Sequence, residues 1–139
     1  MTDLERAKTL LKEGGYTCVF VTKASVYTSY ERGIKPLLKT LNADVGTADA
    51  AVADKVVGKA AAFLYELMKI ETLYASTVSA PALDVLKRAK IEVEYETLVP
   101  SVRNRAGTGR CPMESAVWEI SIAQEAYEVL KNKVEGEKI

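Results

Sequence analysis

LYASTVSAPALDVLKRAKIEVEYE, residues 73–96, is the stretch whose reading decides the architecture. Leu73–Val78 reads as a strand, Pro81–Lys90 as a helix, and Ile91, Val93 and Tyr95 alternate with Glu92, Glu94 and Glu96 as in a second strand. A strand, helix, strand unit closes through a right-handed crossover, which sets its two strands parallel with the helix packed on them. The regular glutamates give the second strand one solvated face, often the mark of a sheet edge.

Working outward, Ala50–Lys69 is Ala-rich, apolar and free of proline. It reads as one long helix, apolar nearly all round and therefore central to the core. Asn42–Asp49 before it reads as a loop. Tyr16–Lys23 and Ser25–Tyr30 are aromatic and β-branched runs with a very short connection, which predicts an antiparallel hairpin. Thr2 and Glu5 have capping-box spacing, and Leu4, Ala7, Leu10 and Leu11 share one helical face until Gly14-Gly15. Gly33-Ile-Lys-Pro36 introduces a short helix that buries Leu37, Leu38 and Leu41. After the second strand, Val99–Arg110 is a loop and Pro112 begins a helix. Ser121 with Gln124 marks a final helix to about Val134, with Glu135–Ile139 frayed. The expectation is one domain over 1–139, an α/β fold built as a three-layer α/β/α sandwich around a mixed sheet.

Composition narrows the function classes. The 139 residues are 48% hydrophobic and 27% charged, as in a globular domain. Nineteen basic residues balance nineteen acidic ones, so no global field holds a polyanion and nucleic acid is a disfavoured partner. The chain contains no histidine, which removes Ser-His and Cys-His pairs and every histidine-ligated zinc site. Two cysteines, Cys18 and Cys111, suit a reducing compartment. The N-terminus lacks signal-peptide order and no run reaches the roughly 18–20 apolar residues of a membrane span. A cytoplasmic protein without membrane contact is expected.

The element order, with Asp54-Lys-Val-Val-Gly-Lys-Ala-Ala-Ala and Asn104-Arg-Ala-Gly-Thr-Gly-Arg-Cys-Pro-Met-Glu, resembles the prokaryotic family labelled domain of unknown function 1893. The resemblance runs over nearly the whole chain and implies a cytidine deaminase-like fold, but no activity. Deaminases of that fold hold zinc through a His or Cys two residues before a Glu at one helix start, and through Pro-Cys-x-x-Cys at the next. The corresponding windows here are Ala53-Asp54-Lys55-Val56 and Pro81, with Ala82 and Val85 in place of the cysteine pair. They argue against zinc-dependent deamination, and no cofactor is implied.

Two segments carry candidate chemistry. In Arg103-Asn104-Arg105-Ala-Gly107-Thr108-Gly109-Arg110-Cys111-Pro112, glycines permit close backbone approach, arginines offer forked donors, and a helix start offers unpaired N–H groups. The segment is either an anion cradle or an ordinary solvated loop. Cys111, beside Pro112, lies where the helix dipole and Arg110 favour thiolate, although a small residue starting a helix needs no chemistry. Glu114 is a first-turn acid, a proton acceptor or a group that orients an arginine. In the second segment, Asp54, Lys55, Gly58 and Lys59 start the long helix. Lys55 and Lys59 share a face there, and the resemblance implies that this helix start lines the pocket where relatives hold metal. Otherwise Asp54 caps the helix and both lysines face water. Tyr27, Tyr30, Glu31 and Arg32 at the hairpin end are a further cleft wall or simple sheet packing. Cys18 reads as core and Trp118 as a packing anchor or subunit contact.

The leading expectation is a metal-free protein binding an anionic or nucleotide-like small molecule between these two segments. The alternatives are a noncatalytic interaction module, homo-oligomerisation included, and an enzyme using Cys111 as nucleophile or sulfur carrier with Lys59 or Asp54 handling protons.

Overall fold

The computed structural model describes residues 1–31, 33–43, 46–104 and 106–137, with residues 136 and 137 described by backbone alone. In chain order the elements are α1 (Asp3–Gly14), β1 (Cys18–Val21), β2 (Val26–Ser29), α2 (Lys35–Asn42), β3 (Ala51–Val57) and α3 (Lys59–Met68). They continue with β4 (Thr72–Ser79), α4 (Ala80–Arg88), β5 (Glu92–Val99), α5 (Pro112–Ala116) and α6 (Ala123–Glu137). One mixed sheet carries the strands in the order β2-β1-β3-β4-β5. β1 is antiparallel to both β2 and β3, while β3, β4 and β5 run parallel. The fold is α/β.

The hairpin, the parallel β4–β5 pair and the edge position of β5 agree with the sequence reading. The long helix over Ala50–Lys69 does not form. Its first half is strand β3, and only Lys59–Met68 is helical. The reason lies in burial: β3 has hydrogen-bonded neighbours on both edges and Ala51–Asp54 are all buried. Such a strand reads as a continuous apolar run, and periodicity alone does not separate it from a buried helix. Val52, Val56 and Val57 are β-branched and Gly58 ends the run, which are the local signals for strand over helix.

Alternation along the strands divides the core in two. Val19, Val21, Ala53 and Tyr74 face α1, where Ala7 and Leu11 pack on them. Phe20, Val52, Leu73 and Ala75 face the opposite side and join Leu37 of α2, Phe63 and Leu64 of α3, Leu86 of α4 and Leu130 of α6. α1 is anchored as its spacing predicts: the Thr2 hydroxyl accepts from the Glu5 amide at 3.1 Å, and Gly15 ends the helix in the left-handed region. No described helix is long and apolar enough to cross a membrane.

Candidate functional site

A cavity of about 710 Å³ opens where the end of β3 meets the start of β1. In open α/β sheets this carboxyl end of a parallel strand is the usual place for a ligand. Thr17, just before β1, and Cys18, Asp54, Lys55 and Val56 on the strands line it, with Gly58 and Ala61 from the start of α3. The segment before α2 contributes Glu31, Gly33 and Ile34, and the first residue of α2 contributes Lys35; the later stretch contributes Val102–Asn104 and Cys111–Glu114. The two segments singled out in the sequence thus lie on one cavity.

Glu114 holds that arrangement together. It is 1% exposed, and its carboxylate joins three separate parts of the chain. Oε2 accepts from the Lys59 amide and from Ser79 Oγ, each at 2.6 Å, and Oε1 accepts from the Val102 amide at 2.6 Å. α3 has no side-chain cap of its own at Gly58, so Glu114 caps it from 55 positions away. Ser79 in turn is the N-cap of α4, accepting from the Ala82 amide. The buried carboxylate therefore faces the positive ends of two helices, which offsets part of its desolvation. Gly58 is required by this approach: a Cβ there would lie 2.9 Å from Glu114 Oε2 and 3.1 Å from Val102 Cγ2. With the carboxylate fixed by three donors, Gly58→Ala is expected to cost about 1–3 kcal/mol, read as a lower urea midpoint at unchanged slope.

Asp54 forms the floor. It is 8% exposed; Oδ2 accepts from the Tyr65 hydroxyl at 2.6 Å, and Oδ1 accepts from the Val56 amide at 3.3 Å. Cys18 Sγ lies 3.3 Å from the same Tyr65 oxygen. Burial raises the Asp54 carboxyl from 3.8 to about 7, against the opposing hydrogen bonds from Tyr65 and the backbone. Burial, with the nearby Asp54, also pushes the Cys18 thiol and the Tyr65 phenol upward. Both therefore stay protonated near neutrality, and the chain of donors runs from Cys18 through Tyr65 to Asp54.

The remaining predicted residues divide between the cavity and other tasks. Asp54 and Lys55 lie on β3 and Gly58 is the N-cap of α3, so Asp54 caps no helix and Lys55 shares no helical face with Lys59. Lys59 is absent from the lining; its ammonium donates to the Trp118 carbonyl at 2.7 Å and lies over the Phe63 ring. Arg110 is likewise turned away, its guanidinium 3.8 Å from the centre of the Trp118 ring. Arg103 and Asn104 reach the cavity, whereas Gly107, Thr108 and Gly109 do not. That glycine-rich tip folds on itself: the Gly107 amide donates to the Asn104 carbonyl and the Thr108 amide to Asn104 Oδ1. Arg105 and Arg32 lie outside the described residues. Cys111 is half-buried on the cavity wall. Of the described members of the hairpin group, Glu31 lines the cavity, while Tyr30 packs on Tyr16 and Tyr27 is not in the lining.

Sequence reading missed Tyr65 and Ser79 and gave Cys18 to the core alone. The available signal was the phenol of Tyr65 in an otherwise apolar helix, since a buried tyrosine hydroxyl normally finds a partner.

A deaminase-type zinc ion needs three His or Cys ligands at two helix starts. α3 starts as Gly58-Lys59-Ala60-Ala61 and α4 as Ser79-Ala80-Pro81-Ala82, while the expected first window, 53–56, is strand. Neither start supplies sulfur or imidazole, and both Glu114 oxygens are held by protein donors. Among the described residues no group of three or more His, Cys, Asp or Glu is placed to hold a metal. The residues do not fit zinc.

No curated protein matches the chain. Its structure is similar to the crystal structure of a DUF1893 family protein from Thermotoga maritima. The TM-score is 0.87 at 27% sequence identity, covering 96% of this chain and 91% of that one. The family model described as domain of unknown function (DUF1893) matches residues 6–134. The chain therefore belongs to the DUF1893 family.

Proposed function

We propose that this chain is a single-domain, three-layer α/β/α protein of the cytidine deaminase-like kind that binds an anionic small molecule, nucleotide-like in size, without a metal. The fold part of the reading rests on α1 lying alone on one side of the sheet, and on β3, α3, β4, α4 and β5 following as two successive crossovers. The binding part rests on the charge balance at the cavity. Of its three acids, Glu31 pairs with Lys39 at 2.6 Å, Glu114 is occupied by three donors, and burial raises the Asp54 carboxyl to about 7, so that it carries only part of a charge at neutrality. Its basic residues Lys35, Lys55 and Arg103 are exposed and make no ion pair among the described residues. The rim is therefore cationic in a chain of zero formal net charge.

Thermal unfolding with inorganic phosphate, pyrophosphate and nucleoside 5′-monophosphates tests this. A ligand at 100 times its Kd stabilises by about 2.7 kcal/mol, roughly 8 °C for a domain of this size. The Lys35→Ala/Arg103→Ala double variant is expected to lose the shift. No shift with any of these anions, or a shift that survives the double variant, refutes the reading.

The half-buried Cys111 on the cavity wall supports a second reading, a thiol-dependent enzyme. Its mark is alkylation of Cys111 that a bound anion blocks and that abolishes later binding.

A further inference from the structure

The acid at the cavity floor has no counterpart in an anion-binding role. Asp54 is nine-tenths buried, lines the cavity, and among the described residues has only neutral donors beside it: the Tyr65 hydroxyl at 2.6 Å, the Val56 amide at a long 3.3 Å and the Lys55 backbone. A carboxylate offers about four acceptor positions, so part of its capacity is directed at no protein group. Among the described residues no ion pair reaches it. Buried carboxylates are ordinarily paired with a cation.

We infer that the Asp54 carboxyl, oriented by Tyr65 and Cys18, is a second recognition subsite that binds a cationic nitrogen of the ligand, so that the molecule is zwitterionic, with its anion at the Lys35–Arg103 rim and an ammonium or guanidinium at the floor. This rests on the anion-binding reading above and narrows it. A cation entering beside Asp54 supplies the partner that the protein omits and favours the charged carboxylate. Since the free carboxyl titrates at about 7, binding below that value expels its proton. Affinity for a zwitterion therefore rises with pH, about tenfold per unit below 7, and levels off above it.

Among the described residues, the titratable and charged groups facing Asp54 are Cys18 on β1, Tyr65 on α3 and, across the cavity, Glu31, Lys35, Arg103 and Glu114. Lys55 on its own strand and Cys111 complete the set. Cys18 and Tyr65 are pushed upward by burial and keep their protons. A contribution from any other member would survive neutralisation of Asp54, which gives the control.

The probes are ω-aminoalkanesulfonates of two to five methylenes and the ω-hydroxyalkanesulfonates of equal length, because neither kind titrates between pH 6 and 8. Calorimetric titration is expected to show that an amino probe binds more tightly than its hydroxy partner, with a preference that grows about tenfold from pH 6 to pH 8 and with protons released at pH 6. Asp54→Asn should remove both the preference and its pH dependence. Tyr65→Phe should keep the preference and move its midpoint to higher pH, because the lost hydrogen bond is one that lowers the Asp54 carboxyl. Equal binding of amino and hydroxy probes overturns the inference and leaves the anion reading standing. A preference that persists in Asp54→Asn also overturns it. Absence of binding by both series overturns the inference, while the anion reading stands or falls on the phosphate and nucleotide shifts.

Discussion

Glu114→Ala is expected to lose about 3–5 kcal/mol of stability, a large share of the roughly 5–15 kcal/mol that a domain of this size possesses. The side chain is 1% exposed and receives the Lys59 amide, the Val102 amide and the Ser79 hydroxyl. Truncation leaves those three donors without their acceptor and opens a void at two helix starts. Glu114→Gln separates the two effects. The amide oxygen can serve Lys59 and Ser79, but its NH₂ then meets the Val102 N–H donor to donor, at a cost of about 1–3 kcal/mol. Ser79→Ala removes one donor and the cap of α4, so it should fall in the range of about 1–2 kcal/mol. Urea unfolding gives the ranking, and faster amide exchange at Val102 should accompany both Glu114 variants. A loss below about 1 kcal/mol in Glu114→Ala would remove Glu114 from its place as the joint. The same variant should weaken anion binding, because Val102 neighbours Arg103 and the Val102 bond fixes where that arginine meets the cavity.

The joint shows which features a single sequence displays. α1, the hairpin, α2 and the β4–α4–β5 unit were legible because each has local punctuation: Thr2 and Gly15 around α1, Pro36 in the first turn of α2, alternating glutamates on β5. β3 was not, because a strand paired on both edges and buried at Ala51–Asp54 loses the alternation that identifies strands. That one misreading moved Asp54 and Lys55 onto a helix and gave Lys59 a role in the cavity. The convergence of the 54–59 and 103–114 segments was legible only through the family resemblance, which puts the first at a pocket, since composition alone left both open to a solvated reading. The partners inside the site were not. Glu114 meets Lys59 across 55 positions and Asp54 meets Tyr65 only once Gly58 turns the chain. Arg110 looked like an anion ligand by composition, but the Trp118 ring eight positions on provides a surface for its guanidinium.

Asp54→Asn is expected to stabilise the protein at pH 8 and leave it nearly unchanged at pH 4. In the folded chain the carboxyl titrates at about 7, against an ordinary value of 3.8. Between these values the folded state retains a proton that the unfolded chain has released, so stability falls as pH rises through that window and levels off above about 7. The full difference corresponds to about 4 kcal/mol, and relaxation around a charged carboxylate reduces it to about 2–4 kcal/mol. Asparagine stays neutral throughout; with its oxygen toward the Val56 amide, its NH₂ donates to the Tyr65 hydroxyl oxygen, which turns its own proton to Cys18 Sγ, so no two donors meet and the loss is escaped. Urea unfolding of both proteins at pH 4, 6 and 8 would show the curves separating with rising pH; a variant less stable than the wild type at pH 8 would mean that the fold favours the charged carboxylate. An asparagine would fill the same volume at lower cost, and a residue that lowers stability at neutral pH is explained by its use rather than by packing. In Asp54 that use is confined to the cavity side, since Tyr65, which is not in the lining, occupies the other. What the acid provides there, and an amide does not, is a negative charge that appears when a cation arrives to meet it.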